Sequence, residues 1–220
     1  MLQTRYFFQG EFTPYLDIFK TYAHRFVAFP KNDYLLAPAN VMHHNYFITK
    51  GFCKVSVLHD SGEEKIIGYW GTNSIYPIIT SEQQFLLEDS IIVTAMTDME
   101  TMEFTPETTR LIMKEHPEVS YEMIDHYCKF TNLLFFCTTT QTFEDLKMRI
   151  CNMLYIYYVN EGSTRFRLTQ SELASLVGAK RESIVKILKE LRTQEIITVK
   201  NNHIELLSIE KLKDYGSFLL

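Results

Sequence analysis

No stretch of this 220-residue chain is apolar for long enough to span a bilayer, which takes about eighteen or more residues in succession. No membrane partner is therefore expected. The chain also lacks close cysteine pairs. Its four cysteines, Cys53, Cys128, Cys137 and Cys151, are far apart, which excludes the ligand spacing of a structural zinc site or a thioredoxin-like motif and leaves reduced, mostly buried thiols as the expectation. Basic residues are in the minority, 22 Lys+Arg against 27 Asp+Glu for a net charge of -5, so the protein is not coated in positive surface. The first residues show no basic start followed by an apolar run and a small-residue cleavage site; no secretion signal is read, and the cytoplasm is the expected location. No internal repeat or low-complexity segment is apparent.

The composition that remains is that of a globular protein, 46% hydrophobic and 22% charged, with enough length for two domains, each burying its own core. The charge is unevenly shared. Residues 144–220 hold 12 Lys+Arg against 10 Asp+Glu, a net of +2, which leaves -7 for the rest. Phosphate attraction depends on local charge, so a nucleic acid would meet the C-terminal third.

From about Tyr34 to Phe104 the chain runs in short β-branched and aromatic segments separated by turn residues, among them Asp60-Ser61-Gly62; this pattern predicts strands, with a hairpin at that turn. After Thr105 the period changes to that of helices, with starts predicted at Pro106 and Pro117. Met123, Tyr127, Phe130, Leu134 and Cys137 follow at steps of four, three, four and three, which puts them on one seam of a helix. That seam either lies on the chain's own β domain or pairs with a second copy; heptad spacing with bulky residues favours a homodimer. Thr138, Thr139 and Thr140 predict a break or hinge, since β-branched residues lose side-chain freedom in a helix. A further helix is predicted over about Phe143 to Tyr158, ending at Asn160-Glu161-Gly162.

The most informative stretch is Leu168 to Leu207. Thr169 with Glu172 three residues on forms a capping box. Ala174 is small where a second helix must cross closely, and Gly178 can take the left-handed conformation of a sharp corner. Ile184, Ile187, Leu188 and Leu191 supply the buried stripe of the second helix. Its opposite side carries Lys180, Arg181, Glu182, Ser183, Lys186 and Lys189. This spacing is that of a helix-turn-helix, whose second helix enters the major groove of double-stranded DNA by its N-terminal end. Arg181, Glu182, Ser183 and Lys186 are the candidate base readers: a guanidinium can give two hydrogen bonds to guanine and a carboxylate can accept from cytosine N4. Thr169, Gln170, Lys180 and Lys189 are the candidate phosphate contacts. Two short alternating strands joined at Asn201-Asn202 predict a wing.

With these residues in view, the chain resembles the Crp/Fnr family of transcription regulators over nearly its whole length. Arg181-Glu182-Ser183 followed by Lys186 is similar to that family's Arg-Glu-(Thr/Ser)-x-x-Arg recognition-helix signature, with Lys in place of the last Arg, and Tyr46 to Val57 resembles its strand-Lys-Gly-strand segment. The resemblance implies an α+β protein: an antiparallel β-roll of the jelly-roll, cyclic-nucleotide-binding type over residues 1–116, a long dimerisation helix and hinge over 117–142, and a winged helix-turn-helix over 143–220. It implies a homodimer on an inverted repeat, controlled by an effector in the roll, and RNA polymerase as a partner.

Departures from the family limit what carries over. Cyclic-nucleotide-binding members place Gly-Glu before an Arg-Ser pair, whereas residues 74–90 contain no Arg or Gly and contribute Glu82, Glu88 and Asp89. A phosphate would meet like charge without a cationic clamp. Members with iron-sulfur clusters carry several close N-terminal cysteines, whereas Cys53 is the first here. His24, His43, His44, His59 and Cys53 offer single haem ligands without a motif. No cofactor is expected and the effector stays unidentified. Two other readings are a cupin-like enzyme or storage protein, which would need clustered His and Glu ligands, and a DNA-binding protein whose roll only dimerises. No catalytic residue or metal ligand is assigned.

Overall fold

The computed structural model describes residues 4–38, 40–81 and 90–217; the acidic stretch from Glu82 to Asp89 lies outside the described residues. Two compact units account for the chain, one comprising Tyr6–Glu63 and Ile67–Phe130, the other built mainly from residues 131–217.

The first unit is a roll of two sheets. Strands β1 (Phe7–Phe8), β3 (Tyr34–Leu36), β5 (Phe52–Leu58), β6 (Glu64–Gly71) and β8 (Ile91–Ala95) form a sheet ordered β1-β6-β5-β8-β3. Strands β2 (Arg25–Phe29), β4 (Asn45–Lys50), β7 (Ile75–Tyr76) and β9 (Met99–Phe104) form the other, ordered β2-β9-β4-β7. Pairing is antiparallel except for β1 on β6, where Phe7 faces Tyr69 and Phe8 faces Trp70 in parallel. Gly51 makes the tight link between β4 and β5 at φ +80°, where an added Cβ would stand 2.5 Å from the Asp98 carbonyl oxygen; only glycine accepts both conditions. The predicted hairpin at Asp60-Ser61-Gly62 joins β5 to β6, closed by the His59 N–H on the Glu63 carbonyl.

Phe12, Phe19, Phe47, Met102 and Phe104 fill the space between α1 (Leu16–Tyr22) and the second sheet. Helix α2 (Pro106–Glu115) starts where Pro106 predicts it, with the Thr105 hydroxyl accepting from the Thr108 N–H. Helix α3 runs from Pro117 to Phe143 without interruption. The predicted break at Thr138 to Thr140 is therefore absent. The hydroxyls explain why: Thr138 Oγ1 donates to the Leu134 carbonyl, Thr140 Oγ1 to that of Cys137, and Thr142 Oγ1 to that of Thr138, so each finds a partner inside the helix. The chain turns only at Glu144-Asp145, where the Asp145 carboxylate caps α4 (Leu146–Glu161) by accepting from the Met148 N–H.

The second unit continues with β10 (Arg165–Arg167), α5 (Gln170–Val177), α6 (Arg181–Thr193), β11 (Ile197–Lys200), β12 (His203–Leu206) and α7 (Ile209–Tyr215). Its core is Ile150, Leu154, Leu173, Leu176, Ile184, Leu188 and Leu191, all buried. Burying each such side chain contributes about 1.5–3 kcal/mol.

Candidate nucleic-acid interface

Helix α5 begins with a complete capping box. The Thr169 hydroxyl oxygen accepts from the Glu172 N–H at 3.1 Å, and Glu172 Oε2 accepts from the Thr169 N–H at 2.8 Å. Two N–H groups that the first turn would leave unsatisfied are thereby paired. The helix ends at Gly178, φ +65°, whose added Cβ would lie 2.7 Å from Gln141 Nε2. Ala174 is buried beneath the corner, and its carbonyl accepts from the Ala179 N–H. Arg149 Nη1 donates to the Val177 carbonyl at 2.8 Å, tying α4 to the end of α5.

The corner launches α6 outward. Ile184, Leu188 and Leu191 are buried on one side of it and Ile187 is half-buried. On the other side Arg181, Glu182 and Lys186 are exposed and Ser183 is half-buried. Lys180 stands at the N-cap with no side-chain cap, so the positive end of the helix dipole adds to the charge of Lys180 and Arg181. Arg181 Nη2 lies 3.5 Å from Gln170 Oε1, a weak contact at the outer limit of a hydrogen bond. It nevertheless puts one candidate base reader beside a candidate phosphate contact. Lys180 and Lys189 are exposed and Thr169 and Gln170 half-buried; the Thr169 oxygen is engaged in the cap while its proton can still donate.

The wing forms as its sequence predicts. Strands β11 and β12 pair antiparallel with Lys200 opposite His203, and Asn201 and Asn202 both take positive φ, 51° and 59°, the conformation that the tightest hairpin turns demand. Sequence reading leaves out the third strand: β10 pairs with β12, with Arg165 opposite Glu205 and Arg167 opposite His203. Arg165 and Arg167 are exposed on either side of buried Phe166, adding cations beside the wing. The alternation Arg-Phe-Arg is the signal for it, but three residues are too few to stand out before pairing is known.

The seam predicted on α3 divides. Met123 is 2% exposed inside the roll core. Phe130 lies edge-on to Trp70 and Phe8, and Tyr127 donates through its hydroxyl to the Ile78 carbonyl at 2.6 Å. Leu134 is exposed and Cys137 half-buried. Met123 and Phe130 are thus engaged within the chain's own β domain. The apolar side chains most open on this helix are Phe143, Tyr121, Phe135 and Ile124, at 80%, 73%, 69% and 57% exposure, while Tyr127 and Leu134 are exposed to 45% and 38%.

Of the remaining candidates, Cys53 is buried, and burial pushes its thiol up to about 12; Cys151 is likewise pushed up to about 12 by burial. Both stay protonated and unreactive near neutral pH. His59 Nδ1 is 2.9 Å from the Ser61 hydroxyl, and His44 Nε2 is 4.0 Å from Glu103 Oε1. Among the described residues no three His, Cys, Asp or Glu side chains converge as a metal site, and no helix is long and apolar enough to cross a membrane.

Comparison with known proteins agrees with this geometry. Residues 148–215 match the model of the Crp-like helix-turn-helix domain. The global nitrogen regulator of Nostoc sp. is 21% identical over 178 residues, 78% of this chain and 80% of that protein. The cAMP-activated global transcriptional regulator Vfr of Pseudomonas aeruginosa is 27% identical over 169 residues, 70% of this chain and 76% of its own length. Among solved structures, the c-di-GMP responsive global regulator CLP of Xanthomonas campestris shares the fold with a TM-score of 0.78 at 18% identity, covering 89% of this chain and 99% of that one. An exposed, positively charged helix behind a glycine corner and the wing beside it agree with the Crp-like helix-turn-helix domain matched over residues 148–215, and over most of its length the chain is similar to transcription regulators of the Crp/Fnr type.

Proposed function

We propose that the protein acts as a homodimer that reads an inverted repeat, with an effector in the roll setting its affinity for DNA. Support comes first from α3. Tyr121, Ile124, Cys128, Thr131 and Phe135 recur at steps of three, four, three and four, and all are exposed. This is the spacing of a coiled-coil seam. It replaces the stripe through Met123 and Phe130 as the interface we assign, since those residues already have partners. A twofold pair would carry two α6 helices, suited to half-sites about 34–36 Å apart.

In this reading Arg181, Glu182, Ser183 and Lys186 contact base edges, and Thr169, Gln170, Lys180 and Lys189 contact phosphates. Arg165, Arg167 and Lys200 of the winged sheet add phosphate contacts, supported by their exposure. An effector acts only through a difference in affinity between two arrangements of the protein; Tyr127 and Phe130, on α3 and against the roll, are suited to sense it. RNA polymerase is the partner expected of a regulator of this type, and no catalytic step is assigned. A DNA reader of bacterial type works in the cytoplasm.

The observation that carries the proposal is the exposed apolar stripe on α3. Sedimentation equilibrium tests it: Tyr121→Glu, at a seam residue 73% exposed and outside the cavity of the roll, converts the dimer to monomer. A variant that stays dimeric removes this face from the interface.

A further inference from the structure

The first unit holds a cavity of about 520 Å³, within the range of small-molecule sites. Its wall combines Leu36, Met42, Trp70, Ile91, Met123 and Phe130 with the segment from Ile75 to Ser81. Three observations define what it accepts. First, none of the described lining residues is Lys, Arg, Asp or Glu, and residues 82–89 contain no basic residue in sequence.

Second, the one imidazole is uncharged as placed: Trp70 Nε1 lies 3.1 Å from His126 Nε2, and because an indole N–H only donates, that nitrogen must accept. Third, several peptide groups along the wall are already engaged, the Ile79 N–H donor among them. The Ile78 carbonyl accepts from Tyr127, the Ile79 N–H and carbonyl are both bonded to the Asn45 side chain, and the Thr80 carbonyl accepts from Arg110. An anion entering here would lose its hydration without gaining a cation, whereas an apolar molecule gains from leaving water.

We propose that this cavity takes an uncharged, largely apolar small organic molecule as the effector, and not a cyclic nucleotide. The proposal rests on the reading of the roll as the sensing domain. Recognition is by shape and apolar contact, with the hydroxyls of Thr80 and Ser81 on the wall available to orient one polar group.

Trp70 is the only tryptophan, so its emission reports on the cavity directly. The test uses the intact protein and N-phenyl-1-naphthylamine, a neutral aromatic probe excited by energy transfer from Trp70, with cAMP as competitor. Expected is saturable transfer, unaffected by millimolar cAMP, and weakened about tenfold or more both by Met42→Glu, which places a charge on the wall, and by Ile91→Phe, which fills space; unchanged thermal midpoints verify that both variants fold. Absence of saturable binding, equal binding by both folded variants, or displacement by cAMP overturns the proposal. DNA affinity is followed in parallel by fluorescence anisotropy: if it persists while the probe fails, the ligand class is wrong and DNA recognition stands. If the probe binds as expected but leaves DNA affinity unchanged, the chemistry of the cavity is upheld and its regulatory coupling fails.

Discussion

The two units solve recognition by opposite means. The winged helix-turn-helix holds polar and cationic side chains outward, on a helix whose orientation is set within a few residues by Thr169, Glu172 and Gly178. The roll turns apolar side chains inward around a cavity whose described lining holds no Lys, Arg, Asp or Glu, assembled from strands and helices up to about a hundred residues apart in sequence. One surface suits a polyanion, where charge and hydrogen bonds decide affinity; the other suits a molecule that water rejects. The difference teaches that a DNA-reading surface and the proposed effector cavity need share no chemistry. They need only a common element, and α3, which contributes to the cavity and carries the open seam, is suited to that role.

Substitutions sharpen this contrast. The largest effect is expected at the seam: Phe135→Glu should lower affinity for a full inverted repeat by about a hundredfold or more, because each half-site then binds alone, while an isolated half-site is bound as before; titration of both duplexes checks it. Gly178→Ala follows, with a loss of about 1–2 kcal/mol of stability in denaturant unfolding, since the corner needs positive φ. Thr169→Ala should destabilise by about 1 kcal/mol, and Thr169→Ser should recover most of it, as a cap requires. Smallest is Lys189→Ala: affinity should fall evenly across sequences and the slope of log affinity against log salt should drop by about 1. A sequence-dependent loss at Lys189 would blur the proposed division between base readers and phosphate contacts.

The recognition module was legible because its determinants are local. A capping box, a left-handed glycine and two asparagines at positive φ each act within four residues, and all are found where the pattern predicts them. The roll was legible as strands but not as pairings: β1 is two residues long and finds its partner β6 some sixty residues away, which no periodicity encodes. Helix α3 shows why period alone misleads. Its residues support two apolar stripes with the same three-four spacing, one through Met123 and Phe130 and one through Ile124 and Phe135. Only the aromatic partners Trp70 and Phe8, supplied by distant strands, decide which stripe faces the roll. Thr138 to Thr140 mislead for a different reason: the helix runs on through them, and the hydroxyls of Thr138 and Thr140 are satisfied on carbonyls of the same helix.

Selecting bound duplexes from a random DNA pool, with the natural protein and with Arg181→Ala side by side, addresses the core of this account. The natural protein should enrich an inverted repeat, and the variant should enrich the same repeat with preference lost at one base pair in each half, at an affinity lower by about 1–3 kcal/mol on the natural site. Equal weakening on every sequence, or no enriched repeat at all, would contradict the placement of α6 in the groove.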